Sequence, residues 1–95
     1  MYKDEYHPRI KKDVKKLAPH IREKIKTEYI PNILLSPNVG HNLEGDLNGI
    51  HSYHIIISKQ QYRIAYLIDE DDKRIIILMI AKRENFYNLL KRRIK

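Results

Sequence analysis

Tyr62-Arg63-Ile64-Ala65-Tyr66-Leu67-Ile68-Asp69, then Glu70-Asp71-Asp72-Lys73, then Arg74-Ile75-Ile76-Ile77-Leu78-Met79-Ile80-Ala81, is the stretch that decides the fold. Two β-rich segments flank a connection too polar to bury, which reads as two strands and a turn. Side chains alternate across a strand, so Tyr62, Ile64, Tyr66 and Ile68 share one face and Arg63, Ala65, Leu67 and Asp69 the other. The first set is larger and more apolar, so it faces the core and leaves Arg63 on an open face. Arg74 to Ala81 is almost continuously apolar, as expected of a central strand or one covered on both sides.

Working outward, Tyr53 to Ser58 is another Ile-rich strand, joined to the first by Lys59-Gln60-Gln61. The same alternation sends Tyr53, Ile55 and Ile57 to the core and leaves His54 and Ile56 on the open face beside Arg63. Such short links make an antiparallel meander. Upstream, Pro8 can open a helix carrying Ile10, Val14 and Leu17 on one stripe, broken at Ala18-Pro19. A second helix starts near Pro19 with Ile21, Ile25, Tyr29 and Ile30 at helical spacing, and Pro31 should kink or end it. Downstream, Glu84 to Ile94 reads as a final helix with Lys91, Arg92, Arg93 and Lys95 near its C-terminal end, where cations suit the helix dipole. The expectation is one α+β domain spanning residues 1–95. An N-terminal helical hairpin packs on a small, mainly antiparallel four-stranded sheet, with a short basic C-terminal helix. Residues 2–6 are a weakly patterned candidate for an added N-terminal strand, weakened by Asp4.

Composition narrows the class. The 95 residues hold 19 Lys and Arg against 12 Asp and Glu, a net charge of +7, and 16 Ile, enough for one core. That excludes disorder, and the absence of Cys excludes disulfide scaffolds and Cys-based zinc sites. No apolar run reaches membrane-spanning length and the N-terminus has no signal-peptide pattern, so a cytoplasmic protein with no membrane association is expected. The charge is segmented: residues 1–26 carry net +5, residues 27–58 net −3, and residues 59–95 net +5. A fold that brings the two ends to one surface attracts phosphate polyanions, although the same charge also serves solubility. On this reading the open face carries His54, Arg63, Lys82 and Arg83, with Tyr87 beside it. Cations neutralise phosphate, Arg and aromatic rings stack on bases, and His moves protons near neutral pH, so the set suits RNA.

Three segments resemble the RelE/ParE superfamily of bacterial toxins. They are Leu43-Glu44-Gly45-Asp46-Leu47-Asn48-Gly49-Ile50-His51-Ser52-Tyr53-His54-Ile55, then Tyr62-Arg63-Ile64-Ala65-Tyr66, then Ala81-Lys82-Arg83-Glu84-Asn85-Phe86-Tyr87. His7 to Asp13 resembles the first helix of that superfamily. The resemblance implies a toxin of a type II toxin-antitoxin system, with a cognate antitoxin, the ribosome and mRNA as partners and no small-molecule cofactor or metal. It implies an mRNA endonuclease acting in the ribosomal A site; the ParE branch, which inhibits DNA gyrase, is the alternative. Carried over by position, Arg63 and Arg83 would hold the phosphate and Tyr87 would be the aromatic acid, base or stacking residue, while His54, as a histidine in place of Lys, could serve directly as base, the acid and base roles of His54 and Tyr87 being open. Lys82, Lys91, Arg92 and Arg93 would bind RNA. His54 stands where a basic residue, often Arg or Lys, is usual, Lys82 where His or Lys is usual, and Ile56 where some RelE members have Lys.

Overall fold

Alternation does set the sheet, but the sheet is larger and more mixed than expected. The computed structural model describes residues 1–95 and contains β1 (Lys3–Tyr6), β2 (His41–Asn42), β3 (His51–Ile57), β4 (Gln60–Asp69) and β5 (Arg74–Lys82) in one five-stranded sheet of order β1-β5-β4-β3-β2. β2–β3, β3–β4 and β4–β5 pair antiparallel, whereas β1 runs parallel to β5 with Lys3 opposite Arg74. The candidate strand at residues 2–6 is present as β1, so the four-stranded expectation fails only at the other edge, where β2 adds a fifth strand. β1 is exposed throughout and β2 has two residues, so neither shows the apolar alternation that announces a strand. Arg74 holds this edge by ion pairs to Glu5 on β1 and to Asp69 on β4, the latter at 2.6 Å. The β3–β4 hairpin closes on Ser58 and Lys59, both with φ above zero, the geometry whose twist matches that of paired strands.

The helices do not form the expected N-terminal hairpin. α1 (Ile10–Lys15) lies on β5 instead of alongside α2 (Pro19–Lys24). Pro31 neither ends nor breaks the next helix. A π-helical turn, Ile25–Tyr29, leads directly into α3 (Ile30–Leu35), and the Ile30 N–H donates to the Ile25 carbonyl five residues back. Proline has no N–H and its ring crowds the carbonyl four residues earlier, and the widened turn sits just before it. Ile21, Ile25, Ile30 and Ile33 from this layer bury against Ile55, Ile57, Tyr62, Ile64, Tyr66, Ile75 and Ile77 of the sheet. Burying each Ile contributes roughly 1.5–3 kcal/mol.

The opposite face is not open either. Leu47 and Ile50 from the 43–50 loop, with Phe86 and Leu90 from α4 (Phe86–Arg93), cover Ala65, Leu78 and Met79 in a second core. A register slip between Ala65 and Tyr66 makes this possible: Ala65 faces Met79, Tyr66 faces Ile77, and Leu78 is the extra residue. Such a bulge reverses the alternation beyond it. Leu78 and Met79 thus both join the second core, and Ile80 returns to the first.

One ion pair ties α1, β5 and α4 together. Asp13 is 8% exposed and receives two hydrogen bonds from Arg93, Nη1 to Oδ2 at 2.6 Å and Nη2 to Oδ1 at 2.9 Å. Its Oδ2 also accepts the Ile80 N–H at 3.0 Å, and Arg93 Nη1 donates to the Leu78 carbonyl at 3.1 Å. Both carboxylate oxygens and both terminal guanidinium nitrogens are hydrogen-bonded, which is what a buried pair needs to offset desolvation. Removing one partner of such a pair costs about 3 kcal/mol because the other charge stays buried. Arg93→Met, which keeps an aliphatic stem, should therefore lower the urea-unfolding free energy by about 3 kcal/mol, and Asp13→Asn/Arg93→Met should recover much of it. An Arg93→Met midpoint equal to that of the parent would show that the pair does not hold α4.

Candidate active site

His54 on β3 and Arg63 on β4 are direct cross-strand partners, on the face that carries the second core. Side chains so placed start about 5 Å apart. Arg63 is then fixed from the other side. Phe86 is buried, Tyr87 meets it edge-on with ring centroids 5.7 Å apart, and the Arg63 guanidinium lies 5.0 Å from the Tyr87 ring centroid and 5.9 Å from that of Phe86. Each cation–π contact at a partly exposed site contributes about 0.5–1 kcal/mol. α4 thus acts as the platform that aims Arg63. Tyr87 itself is exposed.

Arg83 follows β5. Its N–H donates to the Gln61 carbonyl at 3.1 Å and its own carbonyl accepts the Phe86 N–H at 3.3 Å, which anchors its backbone to β4 near Arg63 and to the start of α4. Its side chain is exposed and has no ion pair or hydrogen bond.

A second histidine, not foreseen from the sequence, completes the group. His41 on β2 is paired in register with Ser52, and its ring meets that of His54 edge-on, with centroids 5.6 Å apart. The position of His41 follows from Tyr66, whose hydroxyl donates to the Pro37 carbonyl at 2.5 Å and accepts the Gly40 N–H at 3.0 Å. A Cβ on Gly40 would sit 2.5 Å from that hydroxyl, so only glycine allows the chain to pass so close before turning into β2. Nothing about a two-residue strand is visible as a pattern. The one available signal was a His beside Gly40 in a segment without Lys or Arg.

Burial lowers the tendency of His54 to protonate, and the nearby charges of Arg63 and His41 lower it further. The His54 imidazole is therefore poised as a neutral proton acceptor at pH 7, beside a fixed guanidinium. His51 is also shifted down by burial, but it lies on the opposite face of β3, stacked on Tyr66 at 5.4 Å.

The other expected cations do not converge here. Lys82 lies opposite Tyr62, so the bulge sends it to the helical side, where it lines a cavity of about 490 Å³ with Arg9, Lys16 and Arg92. Arg93, expected to bind RNA, is occupied by Asp13 and its side chain is 12% exposed. Lys91 faces Asp46 at 4.0 Å across a cleft of about 590 Å³ that also borders Tyr87. No cluster of three or more His, Cys, Asp or Glu side chains is arranged to hold a metal ion. No helix is long and apolar enough to cross a membrane.

The chain matches, over residues 5–91, the family model of the ParE-like toxin of type II bacterial toxin-antitoxin systems. No curated protein sequence matches it. Among solved structures it is similar to a chain of the toxin-antitoxin complex RelBE2 from Mycobacterium tuberculosis, with TM-score 0.74, 25% identity, and coverage of 86% of this chain and 98% of that one. It is similar to a chain of the intact E. coli RelBE toxin-antitoxin complex, with TM-score 0.69, 23% identity and coverage of 88% and 99%. A substituted E. coli RelE toxin in the free state gives TM-score 0.72 at 23% identity, with coverage of 99% and 98%.

The environment of His54 has a measurable consequence. In NMR titration its midpoint should fall below the ordinary imidazole value of about 6.5, and Arg63→Gln should raise it by removing a like charge. A midpoint at or above the ordinary value would contradict the neutral-acceptor reading.

Proposed function

The chain belongs to the ParE-like toxin family of type II bacterial toxin-antitoxin systems, and on that premise we propose that it is a ribosome-dependent mRNA endonuclease restrained by a cognate antitoxin. The observation that carries this reading is the pairing of a His54 biased toward neutrality with Arg63, itself seated on Tyr87. Cleavage of RNA by its own 2′-hydroxyl needs a base for that hydroxyl, cations for the charge that develops on the phosphate, and an acid for the departing 5′-oxygen. His54 supplies the base. Arg63 and Arg83 supply positive charge, and the exposed Tyr87 ring supplies a stacking surface or a proton. These groups do this chemistry by proton transfer and charge stabilisation alone, without a cofactor.

The antitoxin partner is supported by the similar chains of the M. tuberculosis and E. coli complexes, each described together with its antitoxin. The net charge of +7 favours an acidic or amphipathic antitoxin segment, and equally the phosphates of ribosome-bound RNA. The cytoplasm, where ribosomes and mRNA meet, is the compartment in which this activity operates.

The test is cleavage of mRNA on programmed ribosomes by purified, folded variants. Arg63→Ala and Arg83→Ala should each lower the rate about a hundredfold, the equivalent of about 3 kcal/mol of transition-state stabilisation. Arg83→Ala should change folding stability by no more than about 0.5 kcal/mol, since that side chain is exposed, whereas Arg63→Ala, which gives up two cation–π contacts, should cost about 1–2 kcal/mol and leave the protein folded. Tyr87→Phe should slow cleavage if the hydroxyl moves a proton and spare it if the ring only stacks. Parent-like rates for both arginine variants would mean that the site is elsewhere. A parent that leaves ribosome-bound mRNA intact but blocks gyrase would assign the ParE-type activity instead.

A further inference from the structure

Cleavage by a 2′-hydroxyl moves two protons. As the O2′–P bond forms, O2′ loses its proton to a base. As the P–O5′ bond breaks, O5′ gains a proton from an acid. The products are a 2′,3′-cyclic phosphate and a 5′-hydroxyl, and the protein ends with as many protons as it began with. A single His54 accounts for half of this traffic. At neutral pH an imidazolium is a stronger acid than a phenol by about 3.5 pH units, so a second histidine is a better donor than a tyrosine.

We infer that His41 and His54 are the acid–base pair of this site, His54 taking the 2′-hydroxyl proton and His41 delivering the proton to the departing 5′-oxygen. This deepens the nuclease reading above and rests on it. Four observations support it. The two rings are 5.6 Å apart, and both residues are exposed to an incoming strand. Ser52, directly opposite His41 in the β2–β3 register and on the same face of β3 as His54, has a fully buried hydroxyl with no partner. Gly40 and Tyr66 fix the turn that delivers His41, so its proximity does not depend on a free loop. Arg63 is the cross-strand partner of His54 and not of His41.

That last asymmetry divides the roles. The groups facing His54 are Arg63 from β4 and His41 from β2, with Tyr87 from α4 beyond Arg63. No carboxylate forms an ion pair with either histidine or with Arg63. Burial, Arg63 and His41 all push His54 away from protonation, and Arg63 is its partner in the β3–β4 register, so His54 is the ring assigned to take a proton. His41 stands opposite Ser52 and has no guanidinium opposite it in the register, so it is the ring assigned to give one.

The experiment is the pH profile of single-turnover mRNA cleavage on programmed ribosomes over about pH 5 to 9, for the parent, His41→Gln and Tyr87→Phe, alongside the NMR titration of His54 in the parent and in His41→Gln. The parent should give a bell. His41→Gln should be slower by about a hundredfold and lose the alkaline limb, and the His54 midpoint should rise as its like-charged neighbour is removed. Tyr87→Phe should keep both limbs. His41→Gln with a parent-like rate and both limbs intact would overturn the pair while leaving the nuclease reading in place. A slower His41→Gln that keeps both limbs and an unmoved His54 midpoint would also overturn it, reducing His41 to a contact for RNA. A parent that cleaves nothing at any pH would overturn the nuclease reading and the catalytic role of the pair together, and the absence of any parent profile distinguishes that case from the other two.

Discussion

The buried carboxylate of Asp13 is the constraint on which the arrangement turns. A carboxylate at 8% exposure needs a full set of donors, and here they come from two other elements, the Ile80 N–H on β5 and the Arg93 guanidinium on α4. The pair therefore sets where α4 can lie. Phe86 and Leu90 then bury in the second core, and Tyr87 is presented beneath Arg63. A charge placed on the first helix thus determines the aim of a cation on the far side of the sheet. It does so through contacts that can be followed residue by residue.

The sheet separates two kinds of work. Its helical side is a continuous Ile-rich core that supplies most of the burial. Its other side has a smaller core under α4 and the 43–50 loop, and beside that cover lies the strip with His41, His54 and Arg63. Leaving histidine and arginine side chains partly in water keeps them available to a ligand. Their mounting on paired strands keeps them in register. The rigidity comes from backbone pairing and the chemistry from side chains that the pairing leaves uncovered.

The central strands were readable because burial on one face imposes a period of two, and Tyr62, Ile64 and Tyr66 obey it. The same rule placed His54 opposite Arg63 correctly. It failed where a local irregularity reset the phase. The slip at Leu78 carried Lys82 to the wrong side of the sheet, and no sequence signal marks a bulge inside a run of Ile, Leu and Met. Arg93 was misread for another reason: in a cationic helix end every Arg looks solvated, and the buried acid that claims one of them lies in a different helix. β1 was legible only as a weak candidate and β2 escaped altogether, because edge strands are short and polar and their pairing is decided by neighbours distant in sequence. Pro31 was expected to stop or bend a helix, and the π turn before it is a third outcome that depends on tertiary packing. The superfamily resemblance pointed to the toxin family, which the match over residues 5–91 bears out; it did not point to His41.

The span of the Asp13–Arg93 pair bears on when the two faces of the sheet are first covered during synthesis. Eighty residues separate the two side chains, and β1 must likewise wait for β5 before it has anything to pair with. Contacts of such long sequence separation form late, after the loop-closure entropy has been met. A nascent chain that has emerged only through β5 holds an Asp13 without its counter-ion and an Arg63 without the aromatic platform of α4. Until the last helix docks, the second face of the sheet exposes Leu78 and Met79 in place of a finished cleft. The order of translation thus delays assembly of the site until α4 has emerged. A partner that recognises the uncovered apolar strip can engage the chain before that stage is reached.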